Sequence, residues 1–285
     1  MDPGRTIPEL VAVEPVGTER YRGTSPLGWP GGRIFGGIVA AQAMSAAGAT
    51  VRDALPHSLH AYFLRLGRPE LPLDHVVTRV RDGRSFTTRS VEVAQAGEVI
   101  LTMVASFHRA EDDEDHQPML PDGFPLPCDV VDPNRSSTGE VLPHLRVLRD
   151  LDVRDVTLDD TDDAGRTRSD GARRTWLRVR GPLPDDPTLH AAIVTFLSDM
   201  GTVTAVRPPG SLDPTSGRSL TMAASLDHAV WFHRPPRADE WLCYELASLG
   251  VSGARGLARG TMHDEVGSLR VSVVQEALVR TTPGA

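Results

Sequence analysis

Two stretches of the chain offer water no polar face. Residues 37–51 are Ala-rich and nearly uncharged, and residues 189–206 repeat that character with a single carboxylate, Asp199, among them. A helix without a polar stripe must be covered on all sides, so both are predicted to be buried helices. Elsewhere the pattern is strand-like. Segments 59–66, 73–80, 85–94 and 99–108 read as strands, with Arg81-Asp-Gly-Arg84 and Gln95-Ala-Gly97 supplying turn chemistry. In the second half the strand-like segments are 152–157, 175–180, 225–233, 241–249, 253–263 and 269–279. Residues 9–14 alternate loosely and are predicted as a further strand, 29–37 as a Gly-rich loop, and 141–151 as a short helix. One buried helix followed by an antiparallel meander implies a sheet that curls around the helix.

The order of elements therefore occurs twice. Laying Gly97 on Gly267 sets Ala105 opposite Gln275, and laying His60 on His228 sets His57 opposite Ser225; Asp199 falls opposite the alanines near Ala46. A repeat of about 110 to 130 residues has the size of a domain rather than of a solenoid unit. Only the second copy is polar at these positions, which predicts a duplicated domain with one functional copy. The boundaries expected are 1–110 for the first unit, 111–149 for an acidic, Pro-rich linker, and 150–285 for the second unit carrying the functional residues.

Composition narrows the function. With 285 residues the chain is long enough for a full core, burying roughly three quarters of its unfolded surface. All 30 positive charges are Arg, so no lysine is available as Schiff base, nucleophile or P-loop cation. The formal charge of −8 conceals a division: residues 111–170 hold 17 acids against 6 arginines, leaving the rest of the chain at +3. An acidic chain without a basic cluster gives nucleic-acid binding no support. No run of about 18 apolar residues and no basic-then-apolar start occurs, so neither a membrane span nor a signal peptide is expected. Cys128 and Cys243 lack C-x-x-C spacing, which suits a reducing cytoplasm and argues against a thiolate zinc site. Neither metal nor cofactor is expected, since His190, His228 and His233 show no metal spacing.

Several stretches, in order, resemble the acyl-CoA thioesterase II family. They include Phe35-Gly-Gly37, His57-Ser-Leu-His-Ala-Tyr-Phe-Leu-Arg65, Arg81-Asp-Gly-Arg-Ser-Phe86 and Thr102-Met-Val-Ala-Ser-Phe107 in the first half. In the second half they are Trp176-Leu-Arg-Val-Arg-Gly181, Leu197-Ser-Asp-Met200, Ser225-Leu-Asp-His228, Trp231-Phe-His-Arg234 and Val274-Gln-Glu276. The resemblance covers nearly the whole chain outside the acidic linker. It implies an α+β double hotdog, two tandem domains each wrapping an antiparallel sheet around a central helix, and assembly of such chains into homo-oligomers. It also implies hydrolysis of fatty acyl-CoA to free acid and coenzyme A. The family's catalytic trio falls on Asp199, Ser225 and Gln275; Ser225 stands where some members carry Thr and keeps the hydroxyl.

The residues themselves bear on these roles. A carboxylate on an apolar helix is expensive to bury without partners, and the first-half helix has none, so the fold does not require it. A cap at a helix break near Gly201 is the plainer alternative for Asp199. By period two, Gln275 shares a face with Leu269, Val271 and Val273, and a buried amide there needs hydrogen-bond partners. Ser225 invites a nucleophile reading, but no G-x-S-x-G elbow occurs, and in a regular strand residues 225 and 228 point to opposite faces, which sets His228 aside as its base. Ser225 is better read as orienting a water. Arg65, Arg84, Arg234, Arg255 and Arg259 are available for the phosphates of coenzyme A or for ion pairs. Two other readings stand beside hydrolysis: a hotdog hydratase or dehydratase using His57 as acid and base, and a non-catalytic acyl-CoA binding protein.

Overall fold

The computed structural model describes residues 5–27, 32–112, 114–117, 125–130, 150–156, 172–206 and 218–283. The chain opens with α1 (Ile7–Val11), where the alternation of 9–14 predicts a strand. Local capping outweighs that alternation. Pro8 suits a first helical turn, and the Glu9 carboxylate accepts the Thr6 N–H at 2.7 Å, so the turn closes and buries Ile7, Leu10 and Val11. The first unit continues with β1 (Glu14–Gly17), β2 (Arg20–Gly23), α2 (Gly36–Gly48), β3 (Leu55–Phe63), β4 (Leu73–Asp82), β5 (Phe86–Gln95) and β6 (Glu98–His108). The second contains β7 (Leu151–Val156), β8 (Arg173–Val179), α3 (Pro187–Ser198), α4 (Thr202–Ala205), β9 (Arg218–Ser225), β10 (Asp227–Phe232), β11 (Leu242–Ser252), β12 (Arg255–Asp264) and β13 (Leu269–Pro283).

These strands form one antiparallel sheet ordered β1-β2-β4-β5-β6-β3-β10-β13-β12-β11-β8-β7, with β9 continuing the line of β10 along β13. Read outward from the β3–β10 seam, the order β3-β6-β5-β4-β2-β1 is matched by β10-β13-β12-β11-β8-β7. The chain is thus two hotdogs joined edge to edge, the seam running from Asp227 opposite Tyr62 to Trp231 opposite Ser58. Gly97 and Gly267 both have φ of +84° at the turn into the last strand of their unit, which fixes their equivalence.

The two central helices pack against each other inside the sheet. Along α2, eleven residues from Gly37 to Gly48 are buried, as a helix without a polar face requires. Close approach depends on glycine: a Cβ on Gly37 would lie 2.8 Å from the Phe196 carbonyl oxygen, and one on Gly48 would lie 2.2 Å from Thr188 Cγ2. Phe196 is fully buried, edge-on to Phe35 at 5.5 Å between centroids; truncating it to Ala would cost about 3–5 kcal/mol.

The second helix departs from the continuous 189–206 predicted. It stops at Ser198 with Asp199 as C-cap, turns at Gly201 (φ +86°) and resumes as α4. Of the predicted helix at 141–151, residues 141–149 lie outside the described residues, and Leu151 opens β7. The described parts of the linker are tied to the second unit. Gln117 donates to the Gly267 carbonyl (2.7 Å) and accepts from the Leu269 N–H (2.9 Å), while Trp176 Nε1 donates to the Pro125 carbonyl (2.9 Å).

Candidate active site

A bulge shapes the site. Ser225 pairs with Ala277 and Ala229 with Val274, so three residues, Leu226 to His228, face two, Gln275 and Glu276. The extra residue resets the alternation. Ser225 and His228, which a regular strand would send to opposite faces, therefore both reach Gln275. The Gln275 amide nitrogen donates to Ser225 Oγ at 2.8 Å, and its Oε1 lies 2.5 Å from His228 Nδ1. The predicted exclusion of His228 from the neighbourhood of Ser225 is thus overturned by one inserted residue. Val271, Val273, Gln275 and Ala277 do share the buried face that period two assigns them, with Leu269 half-buried at its start.

Around Gln275 the polar groups close into one network. Its amide nitrogen also donates to Thr202 Oγ1 (2.7 Å), and Ser225 Oγ donates to Asp199 Oδ1 (3.3 Å). Thr202 Oγ1 in turn donates to the Asp199 backbone carbonyl (3.0 Å). Asp199, at 4% exposure, is the cap of the helix break, as its plainer reading has it, and also a member of the cluster. Burial pushes its carboxyl above the usual carboxylate range. His228, the Gln275 amide, the Gly37 backbone N–H at the first turn of α2 and the Ser225 hydroxyl oppose that shift. Burial likewise lowers His228 and keeps its imidazole neutral, against the pull of Asp199. His228 Nε2 sits 2.8 Å from Ser198 Oγ, and Tyr244 donates its hydroxyl to the Ser198 carbonyl at 2.7 Å.

A channel of about 310 Å³ opens onto this cluster, lined by apolar groups such as Val39, Phe63 and Ile100 and reaching Asp199, Gly201 and Ser225, with exposed Arg33 and Arg65 along it. A smaller cavity of about 110 Å³, walled by Met200, Leu177, Tyr244 and Leu246, also borders Gly201. Glycine is needed where α2 meets the site: a Cβ on Gly36 would lie 3.1 Å from Asp199 Oδ2 and 3.0 Å from the Phe63 ring. Of the arginines named from sequence, Arg65 lines the channel while pairing with Glu98, Arg234 binds Asp115, and Arg255 binds Glu276.

The first hotdog carries the same bulge and none of these groups. Pro56 pairs with Phe107 and Ser58 with Ser106, leaving His57 as the extra residue. The bulges align Pro56 with Ser225, His57 with Leu226 and Leu59 with His228. The alignment of His60 on His228, and with it His57 on Ser225, is therefore out by one. His60 is exposed with its ring edge-on to Trp231, and His57 Nε2 lies 2.8 Å from Ser106 Oγ, away from the network. Helix α2 caps on Ala49 where α3 caps on Asp199, three residues on from the predicted Ala46. Ala105 stands for Gln275, and beside it the long side chain of Arg89 stands where its counterpart in the second unit is Ala258. Neither Arg89 nor His228 is signalled by residue type: the bulge places His228, and the pairing of β5 with β6 places Arg89 opposite Ala105.

Comparison with known proteins agrees with this architecture. Residues 25–108 match the acyl-CoA thioesterase N-terminal domain, and residues 128–279 match the acyl-CoA thioesterase C-terminal domain. Acyl-coenzyme A thioesterase 8 of Homo sapiens is 31% identical over 96% of this chain and 88% of its own, and acyl-CoA thioesterase 2 of Haemophilus influenzae is 30% identical over 95% and 96%. Among solved structures, acyl-CoA thioesterase II TesB2 from Mycobacterium marinum superposes with a TM-score of 0.79 at 36% identity, covering 97% of this chain and 99% of that one. The chain belongs to the acyl-CoA thioesterase family. It is a double-hotdog hydrolase of acyl-CoA thioesters, and the hydratase and non-catalytic binding readings are not favoured.

Proposed function

We propose that Asp199, Ser225 and Gln275 hold and activate the water that cleaves the thioester, and that the substrate is a fatty acyl-CoA. The observation that carries this is that Asp199 and Ser225, from a helix end and a strand, line a largely apolar channel, with buried Gln275 hydrogen-bonded to Ser225 behind them. Asp199 takes a proton from the water as its oxygen attacks the carbonyl carbon. The tetrahedral intermediate then collapses, the carbon–sulfur bond breaks, and the departing thiolate takes that proton back, leaving free acid and coenzyme A. The Gly37 backbone N–H is directed at the Asp199 carboxylate, and the close approach of Gly36 to Asp199 Oδ2 supports a role for the Gly36 N–H in holding the oxyanion.

A nucleophilic Ser225 is less well supported. Its hydroxyl proton points at Asp199 while its oxygen accepts the Gln275 N–H, and that acceptance withdraws density from the lone pair an attack would use. Free-thiol release from acyl-CoAs of increasing chain length, in the parent and in Asp199→Asn, tests the reading. Release that collapses in the variant while acyl-CoA still binds supports it. Undiminished release by the variant would remove Asp199 from the chemistry.

The unit boundaries 1–110, 111–149 and 150–285 are part of the same proposal, as is assembly of several chains. The outer face of the seam supports the latter: Tyr62 at 60% and Val104 at 47% exposure lie on it uncovered, and sedimentation at several concentrations tests it. A reducing cytoplasm is proposed from Cys128 and Cys243, both unpaired, the buried Cys243 thiol being pushed up to about 12. Among the described residues no helix is long and apolar enough to cross a membrane.

A further inference from the structure

We propose that His228 is a positioning residue for the reaction: its imidazole holds the Gln275 amide in the one orientation that turns the NH₂ end toward Ser225, Thr202 and Asp199. The proposal rests on the reading of Gln275 as one of the water-holding trio. An amide side chain has nearly the same shape in either flip, so packing alone does not choose between them. Hydrogen bonding does. The Thr202 proton goes to the Asp199 carbonyl and the Ser225 proton to the Asp199 carboxylate. Each hydroxyl oxygen then presents a lone pair and needs a donor, and the two N–H groups of Gln275 supply them at 2.7 and 2.8 Å. A flipped amide would set its carbonyl oxygen against two lone pairs beside a carboxylate.

What prevents the flip stands on the other side. Gln275 Oε1 is 2.5 Å from His228 Nδ1, which must carry the proton, and Nε2 faces Ser198 Oγ at 2.8 Å. The Ser198 hydroxyl lies within reach of both Nε2 and the Thr195 carbonyl (3.0 Å), and its own carbonyl is pinned by Tyr244. The imidazole has no exposure, so water does not substitute for it. The first hotdog supplies an independent observation: where Ala105 replaces the amide, Leu59 replaces the imidazole. The histidine accompanies the glutamine and is dispensable to the bulge.

The test compares thiol release by His228→Asn, His228→Gln, His228→Leu, Gln275→Ala and the double variant His228→Leu/Gln275→Ala, with melting curves to confirm folding. Asn places an amide N–H near the Nδ1 position, whereas Gln places it near Nε2. The expected result is a loss of about tenfold or more in kcat for His228→Leu with KM little changed, most of it restored by Asn and not by Gln. The double variant is expected to be no slower than Gln275→Ala, because the two residues act as one unit. A His228→Leu enzyme with parental kcat beside a crippled Gln275→Ala would overturn this inference alone. A double variant slowed by the product of the two single effects would do the same. Parental kcat in Gln275→Ala would overturn the trio reading and this inference with it. Where His228→Leu does not fold, equal rates for Asn and Gln overturn the proposal.

Discussion

The two hotdogs share a sheet order, a buried helix and a bulge at the same place, and differ in what fills the space behind that bulge. In the second unit the space holds Asp199, Ser225, His228 and Gln275, with Ala258 making room. In the first, Arg89 is buried opposite Ala105, and Ala49, Pro56 and Leu59 stand at the positions of Asp199, Ser225 and His228. Arg89 is 1% exposed, and its guanidinium is fully satisfied: Nε donates to Thr50 Oγ1 (2.7 Å), Nη2 to the Thr50 carbonyl (3.2 Å) and Asp82 Oδ1 (2.6 Å), Nη1 to the carbonyls of Arg81 (3.2 Å) and Thr88 (3.0 Å). Both units thus put polar groups at the C-terminal end of the central helix, where free carbonyls need partners. One meets the need with a buried cation whose five N–H groups are all bound. The other leaves an acid, an amide and an opening to the channel, which stabilises less and permits chemistry.

The comparison breaks first on rate. Asp199→Asn is expected to lower kcat by a factor on the order of 10² to 10⁴, while Arg89→Met leaves the kcat of the folded enzyme within about twofold, because Arg89 touches nothing that the channel reaches. Steady-state thiol release measures both. A large kcat loss in Arg89→Met would mean that the first hotdog contributes to catalysis.

Stability should show the opposite order. Removing the guanidinium leaves the buried Thr50 carbonyl without its donor and Asp82 with only Arg79, 3.9 Å away, as a cation, at a cost of about 2 to 3 kcal/mol. Asp82 is half-exposed, which holds the figure below that of a fully buried pair. Denaturant unfolding of Arg89→Met reads it directly. A change below about 0.5 kcal/mol would show that Arg89 is a passenger and not the plug of a closed site.

Much of this contrast was legible in the chain, and the remainder has definite physical causes. The helices 37–51 and 189–206 announce themselves because neither has a polar face, and Asp199 and Gln275 stand out because an apolar element makes a lone polar residue conspicuous. The bulge was not legible. A period-two reading assumes that every residue of one strand faces one of the next, and nothing in Ser225-Leu-Asp-His228 says otherwise, so it carries His228 to the wrong face; His57 falls on Ser225 for a different reason, the matching of His60 to His228 when Leu59 is the true counterpart. Arg89 escaped notice because Phe86-Thr-Thr-Arg-Ser reads as a solvated strand, and burial of an arginine is decided by Thr50 and Asp82, which are distant in sequence. The helical turn α1 was legible in Thr6 and Glu9, whose capping signal outweighs the alternation of the residues that follow.

The smallest expected effect links the two aspects of the second site through pH. Burial raises the Asp199 pKa, so the folded protein binds this proton more tightly than the unfolded chain does. The stability that the raised pKa contributes is fully present below the unfolded value of about 3.9 and is lost as pH rises through the folded one. Above that point the ionised carboxylate is a net burden, and Asp199→Asn is expected to melt higher than the parent, by about 2 to 4 °C for each kcal/mol relieved. The gap should close as the pH falls. His75, buried in the first hotdog and titrating at about 4, makes both proteins lose stability as pH falls from its ordinary value of 6.5. It acts equally on the two and drops out of the difference. The acid limb of kcat/KM in the parent should then fall in the window where the two melting curves converge, because the Asp199 proton enters both; His228, whose imidazole Asp199 pulls upward, titrates differently in the two proteins and adds to the difference. Melting differences that do not vary with pH would separate the stabilising group from the water-activating one.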